Sequence, residues 1–200
     1  LLATPLLILS QISSADWVKD AVIKTEPQTI QLRHQIHQHP ELGNMEFNTS
    51  KLVQKELKSY GIEVKTGYAK TGVVGVLKGA LPGPVMALRA DMDALPVEEK
   101  TGLSFASKVK ALYQGKQESV MHACGHDTHT AMLLSAAKVL AENKDKLAGT
   151  VVFVFQPAEE GAADIDNFTQ GDQIGSRKMI ADGAFKQNKP EVIFGIHVIS

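Results

Sequence analysis

Residues 150–157 read TVVFVFQP, a run of β-branched and aromatic residues closed by Pro157. A strand exposed on one face alternates polar and apolar residues. An unbroken apolar run of this length instead marks a central strand covered on both faces. Such a strand needs neighbours in a sheet and layers of helix above and below it.

The flanking sequence supplies them. DTHTAMLLSAAKVLAEN (127–143) is rich in Ala and Leu and predicts a long helix opening at Asp127. Upstream, Ile62 to Lys65, GVVGVLKG (72–79) and PVMALRA (84–90) predict strands bounded by Gly or Pro. Downstream come a shorter helix near Gly175 to Asp182 and a strand at EVIFGIHV (191–198). Near the start, the apolar spacing of Trp17, Val18, Ala21 and Val22, then Ile30, Leu32 and Ile36, predicts helix from Asp16 to His39, broken near Pro27. HPELG (39–43) ends it, and a second helix follows from Asn48 to Tyr60, with Leu52, Val53 and Leu57 on one face and Gly61 as its stop. The fold class is therefore α/β, a mostly parallel central sheet covered by helices on both faces. In such folds the ligand site lies at the carboxyl ends of the strands. There are no repeats, and the polar GAADIDNFTQGDQIG (161–175) reads as a loop insertion.

Bulk properties narrow the function. The chain of 200 residues is 44% hydrophobic and 22% charged, values of a soluble globular domain. A net charge of −1 without long runs of one sign offers no footprint for nucleic acid or a membrane surface. The first fifteen residues, LLATPLLILSQISSA, are apolar, too short to span a bilayer, and end in small residues. They read as the remnant of an export signal, so residues 1–15 are assigned to processing and 16–200 to the folded portion of the chain. That predicts a periplasmic or secreted protein without membrane insertion after processing, a cytoplasmic location being the alternative. The apolar run at the C-terminal end has no closing turn or helix, which predicts a fragment of a larger protein.

Placed on this map, the reactive side chains gather. Residues 121–130, MHACGHDTHT, hold the single cysteine and three of seven histidines. Asp91 and Asp93 follow one strand, Glu159 and Glu160 follow the most apolar strand, and His197 ends another. Taken singly, each has a bland reading. A lone buried cysteine is usually an inert small hydrophobe, adjacent glutamates on a loop are ordinarily solvated, and a strand histidine is more often a packed one. Taken together at strand ends, thiolate, imidazole and carboxylate are the donors of zinc and similar divalent ions. Cys124 and His126 flank a glycine, so an extended backbone would aim both to one face. Of the paired glutamates, one would bind metal while the other takes a proton from a water whose pKa the ion has lowered. Asp91 and Asp93 would accept hydrogen bonds that orient the histidines, and His129, one turn into its helix, would support them. His34 and His37 read as surface or packing residues. A cysteine hydrolase, with Cys124 as nucleophile, is the rival chemistry, but it leaves Glu159, Glu160 and His197 without a role.

LRHQIHQHPELGNMEFNTS (32–50), GVVGVLKG, MALRADMDALPVEEKTGLSFAS (86–107), MHACGHDTHTAMLLSAAKVL (121–140), VVFVFQPAEEG (151–161) and GIHV (195–198) together resemble one family. It is the amidohydrolase branch of the co-catalytic-metal aminoacylase and carboxypeptidase superfamily. That branch holds hippurate hydrolases, aminoacylases, N-acetyldiaminopimelate deacetylases and plant auxin-conjugate hydrolases. The resemblance implies Cys124, His126, Glu160 and His197 as metal ligands and Glu159 as the general base. Where the wider superfamily has His-x-Asp, this chain reads Asp91-Met92-Asp93, and the cysteine takes the vacant ligand place. The resemblance further implies one or two divalent ions (zinc, manganese or cobalt) and a small N-acyl amino acid as substrate. It implies a smaller lid and dimerisation domain beyond this chain, and a homodimer or homotetramer when full length. Two departures stand out: a longer loop between Glu160 and His197, and a last ligand histidine expected downstream of Ser200. A metallo-carboxypeptidase or dipeptidase, or a non-catalytic metal- or peptide-binding relative, is the alternative on this scaffold.

Overall fold

The computed structural model describes residues 16–164 and 171–198. The segment read as an export signal, part of the expected loop insertion and the last two residues lie outside them. The elements are α1 (Asp16–Gln38), α2 (Phe47–Ser59), β1 (Glu63–Tyr68), β2 (Gly72–Lys78), β3 (Leu81–Asp91), β4 (Lys110–Tyr113), β5 (Lys116–Ser119), α3 (His126–Glu142), β6 (Ala148–Gln156), α4 (Gly175–Ala181) and β7 (Val192–Gly195).

The apolar run of residues 150–157 forms the middle strand of a five-stranded sheet ordered β1-β2-β6-β3-β7. Its side chains divide by parity. Val151, Phe153 and Phe155 pack into one core with Leu57, Val73, Leu134 and Ala137. Val152 and Val154 pack into a second core with Val74, Val76, Met179 and Ala184. Both faces are buried, so the alternation expected of a half-exposed strand has no reason to exist.

The sheet is mixed. β2 runs antiparallel to β1 and β6, whereas β3 runs parallel to β6 and β7. The chain passes from β3 through α3 to β6, one strand over, and then through α4 back across β3 to β7. Crossovers of one hand in opposite directions put their helices on opposite faces. Accordingly Leu134 of α3 lies in the first core and Met179 of α4 in the second. The three parallel strands all end on one rim, where Asp91 pairs with Gln156 and Arg89 with Gly195.

Two features depart from the sequence expectation. α1 runs unbroken through Pro27. The proline and Ile23, whose carbonyl loses its donor four residues on, are both exposed, so water can serve the freed oxygen. The opposite face is held by packing of Leu32 and by a 2.5 Å hydrogen bond between Thr29 and Ser135 of α3. The second is the β4–β5 hairpin. Gln114 (φ 48°) and Gly115 (φ 75°) form its two-residue turn, the geometry that suits strand twist. Val109, Ala111 and Tyr113 alternate with Lys108, Lys110 and the exposed Leu112, and rest on Leu42, Ala94 and Val120. Among the described residues no helix is long and apolar enough to cross a membrane.

Candidate metal centre

The parallel rim collects side chains from four segments. β3 delivers Asp91 at its last position, and Asp93 follows it into the interior; the two carboxylates are 0% and 1% exposed. α3 begins at His126, fully buried, with Cys124 two residues before it. The turn after β6 carries Glu159 and Glu160, and His197 follows β7.

The link between Cys124 and His126 is not extended, as the sequence suggested. Gly125 adopts φ 83°, and its carbonyl accepts the N–H groups of Thr128 (2.9 Å) and His129 (3.1 Å) to start the helix. A Cβ there would lie 2.3 Å from Val198 Cγ2, so both backbone conformation and space require glycine. The left-handed turn, rather than a strand, brings the thiol and the imidazole to one side.

Contacts then close across the rim. Cys124 Sγ is 3.4 Å from His197 Nε2. His126 Nε2 is 3.9 Å from an oxygen of each of Glu159 and Glu160. Donor atoms of Cys124, His126 and His197 lie within 4.8 Å of one another, as do those of His126, Glu159 and Glu160. The two triads share His126. A third group, Asp91, His126 and His129, meets the same distance, but the ring of His129 is fully engaged. Its Nδ1–H donates to Asp91 Oδ1 at 2.6 Å, and its Nε2 accepts the Val198 N–H at 2.9 Å. His129 therefore ties the end of β3 to the segment carrying His197.

The donor set fits a divalent cation. Among the described residues neither ring nitrogen of His126 has a hydrogen-bond partner although both are buried; Asp93 Oδ1, 3.4 Å from Nδ1, is not aligned for one. Burial of a polar ring without partners is costly unless something binds it. The field favours positive charge. Burial pulls the His126 pKa down, but the Asp93 contact and the charges of Asp91, Asp93 and Glu159 outweigh it and raise it above the ordinary value. Burial, with Glu160 and then Glu159 and Asp91, pushes the Cys124 thiol up to about 11. A cation among these carboxylates reverses both effects, because it favours thiolate and neutral imidazole.

The candidate residues thus assemble: Cys124, His126, Glu159, Glu160 and His197 converge, Asp91 and Asp93 lie beneath His126, and His129 supports from Asp91. His34 stacks on Phe105 with ring centres 3.7 Å apart. His37 is not a surface residue. It is 4% exposed, with Nδ1 2.9 Å from Asp127 and Nε2 3.1 Å from Glu99. The Asp127 hydrogen bond, opposed by burial and joined by Glu99, raises its pKa. Asp127 also accepts from Arg33 at 3.2 Å, so α1 clamps the first turn of α3 directly beside His126. That clamp escaped the sequence reading because its partners are far apart in the chain.

Peptidase family M20/M25/M40 matches residues 87–200. Thermostable carboxypeptidase 1 of Saccharolobus solfataricus is 47% identical over 184 residues, 92% of this chain and 42% of the relative. Hippurate hydrolase of Campylobacter jejuni is 46% identical, covering 83% of this chain and 38% of the relative. Among solved structures, the Bacillus subtilis YXEP protein, a dinuclear metal-binding peptidase from the M20 family, superposes with a TM-score of 0.73 at 40% identity. It covers 88% of this chain and 44% of that one. The chain thus spans less than half the length of each.

Proposed function

This chain belongs to peptidase family M20/M25/M40, and from that premise we propose that it forms the N-terminal part of a longer metal-dependent amidohydrolase acting on N-acyl amino acids. One observation carries the reading. Two consecutive carboxylates, Glu159 and Glu160, reach the same distance, 3.9 Å, from one buried imidazole nitrogen. Neighbouring residues so placed divide the work: Glu160 holds the ion with Cys124, His126 and His197, and Glu159 handles the proton.

A divalent ion in this set supplies Lewis acidity and lowers the pKa of nearby water. The rest falls to the chain. Glu159, whose side chain is 39% exposed, is open to solvent on the rim. It accepts the proton of the attacking water and returns it to the leaving amine. Asp91 and Asp93, 3.7 Å and 3.4 Å from the two ring nitrogens of His126, supply negative charge beneath it, and Arg89 in turn donates to Asp91 at 2.5 Å. One or two ions are compatible with triads that share His126. Export from the cytoplasm belongs to the same proposal and rests on the apolar run before Asp16.

The carboxypeptidase identity of the Saccharolobus relative favours a second reading, cleavage of a peptide bond next to a free carboxylate. A hydrolysis panel separates the two. The full-length protein, loaded with zinc, manganese or cobalt, is given N-acetyl and N-benzoyl amino acids alongside dipeptides and tripeptides with free amino ends. Preferred turnover of the acylated amino acids supports the proposal; turnover of peptides alone transfers it to the second reading. N-terminal sequencing of the exported protein tests the signal, which predicts a start after Ala15.

A further inference from the structure

The segment ELGNMEF (41–47) has no part in the metal centre, yet it carries Glu46, whose carboxylate is 0% exposed. Glu46 stands at the N-cap of α2 but does not cap it. Glu41 does that instead, accepting the N–H groups of Asn48 (2.9 Å) and Thr49 (2.8 Å). The Glu46 side chain turns inward. One oxygen accepts the Ala158 N–H at 2.8 Å, and the other accepts the Thr71 hydroxyl at 2.6 Å.

Ala158 is the residue before Glu159 and adopts φ 48°, a left-handed conformation that is strained for a non-glycine residue. Something must hold it there. On the far side of Glu159, Asp93 accepts the Glu160 N–H at 2.8 Å. Two buried carboxylates therefore grip the amides on either side of Glu159. The same segment closes over the turn at Gly43, where an added Cβ would lie 1.8 Å from the Gly161 carbonyl oxygen.

We propose that Glu46 is a positioning residue for the reaction: by holding the Ala158 amide in its left-handed turn it fixes the direction in which Glu159 meets the attacking water. This rests on the proposed role of Glu159. The function of Glu46 is reach, not charge. Two substitutions in the full-length metal-loaded protein separate these. Glu46→Gln keeps an oxygen at the Ala158 amide and loses the charge; Glu46→Asp keeps the charge and falls one methylene short.

Positioning predicts that Glu46→Asp lowers kcat by about 100-fold, with KM within about threefold and metal stoichiometry unchanged, the loss typical of a misplaced reacting group. Glu46→Gln should stay within about fivefold of wild type. Amide hydrogen exchange over residues 157–161 should quicken in Glu46→Asp and not in Glu46→Gln. The reverse order of the two variants, or wild-type kcat in Glu46→Asp, overturns the proposal. Should the wild-type protein hydrolyse no member of the panel, the functional reading fails on its own. The exchange comparison still decides whether Glu46 holds the turn: equal rates in all three proteins refute it.

Discussion

β6 and β7 carry the same signature, an apolar run leading to a candidate metal residue, and they end differently. Val151 to Phe155 are at most 5% exposed, walled by cores on both faces. In β7, Val192, Ile193 and Phe194 are 42%, 49% and 52% exposed, and among the described residues the strand pairs with β3 alone. An apolar run thus reports the wish for cover, not its presence; neighbours decide. The consequence for the site is asymmetric. The glutamate turn after β6 is gripped by Glu46 and Asp93. His197 depends on an edge strand, a contact with Cys124, and the tie from Val198 to His129. An open apolar edge also invites pairing with another strand.

The comparison can be broken at the β6 end first. Glu159→Gln in the full-length protein should reduce kcat by about 10² to 10⁴ while metal content stays intact, because the shape remains and the base is gone. Metal analysis beside steady-state kinetics checks both halves, and wild-type turnover would remove Glu159 from the mechanism.

Stability tests the strands themselves. Phe153→Ala should cost about 3–5 kcal/mol, the loss for a large aromatic residue in a close-packed core. Phe194→Ala should cost about 1 kcal/mol or less, since half of its side chain already meets water. Denaturant unfolding of the two variants measures the gap; equal losses would mean that β7 is covered in solution.

A third substitution probes the clamp beneath the rim. His37→Leu removes the hydrogen bond to buried Asp127 and leaves Arg33, itself 41% exposed, as its remaining ion-pair partner among the described residues. The cost should be about 3 kcal/mol, the low end for breaking a buried pair. His37 has a raised folded pKa. Its contribution is therefore full below the unfolded pKa and lost as pH rises through the folded one, so the penalty should shrink at alkaline pH.

A pH-dependent effect of slightly smaller size than the His37 penalty is expected at Glu46. Burial, against the Thr71 and Ala158 hydrogen bonds and with the charge of Asp93, raises its pKa from 4.5 to about 7. The folded chain then holds a proton that the unfolded chain releases. Stability from this group is full below about pH 4.5, falls as pH rises, and is gone above about pH 7. The wild-type protein should lose about 2–3 kcal/mol relative to Glu46→Gln between pH 5 and pH 8. A flat difference would mean that Glu46 ionises normally.

Much of this was legible beforehand because it is local. The unbroken apolar run of residues 150–157 placed β6, and Gly61 (φ 74°), just past the C-cap Tyr60, marked the end of α2 at Ser59. The approach of Asp, Cys, His and Glu followed from the rule that strand ends gather side chains. What escaped was non-local. No pattern within one segment pairs His37 with Asp127 or Glu46 with Ala158, because each pairing exists only once the helices and sheet are stacked. The β4–β5 hairpin was missed for another reason: its strands, KALY and KQES, are four residues each and half exposed, a pattern weaker than that of a buried strand. The extended link assumed between Cys124 and His126 failed because Gly125, free to turn left-handed, starts the helix there.

The most direct test of the central claim, a metal centre built on Cys124, His126, Glu160 and His197, is the alkylation rate of the single cysteine in the full-length protein. Thiol reagent is added to the metal-loaded protein, to the chelated protein, and to the chelated protein after zinc is restored. The account predicts that bound metal blocks alkylation, chelation admits it and zinc closes the site again, with Cys124→Ser binding metal far more weakly because a hydroxyl is a poor donor at neutral pH. Equal alkylation rates in all three states would contradict it and leave Cys124 a free thiol.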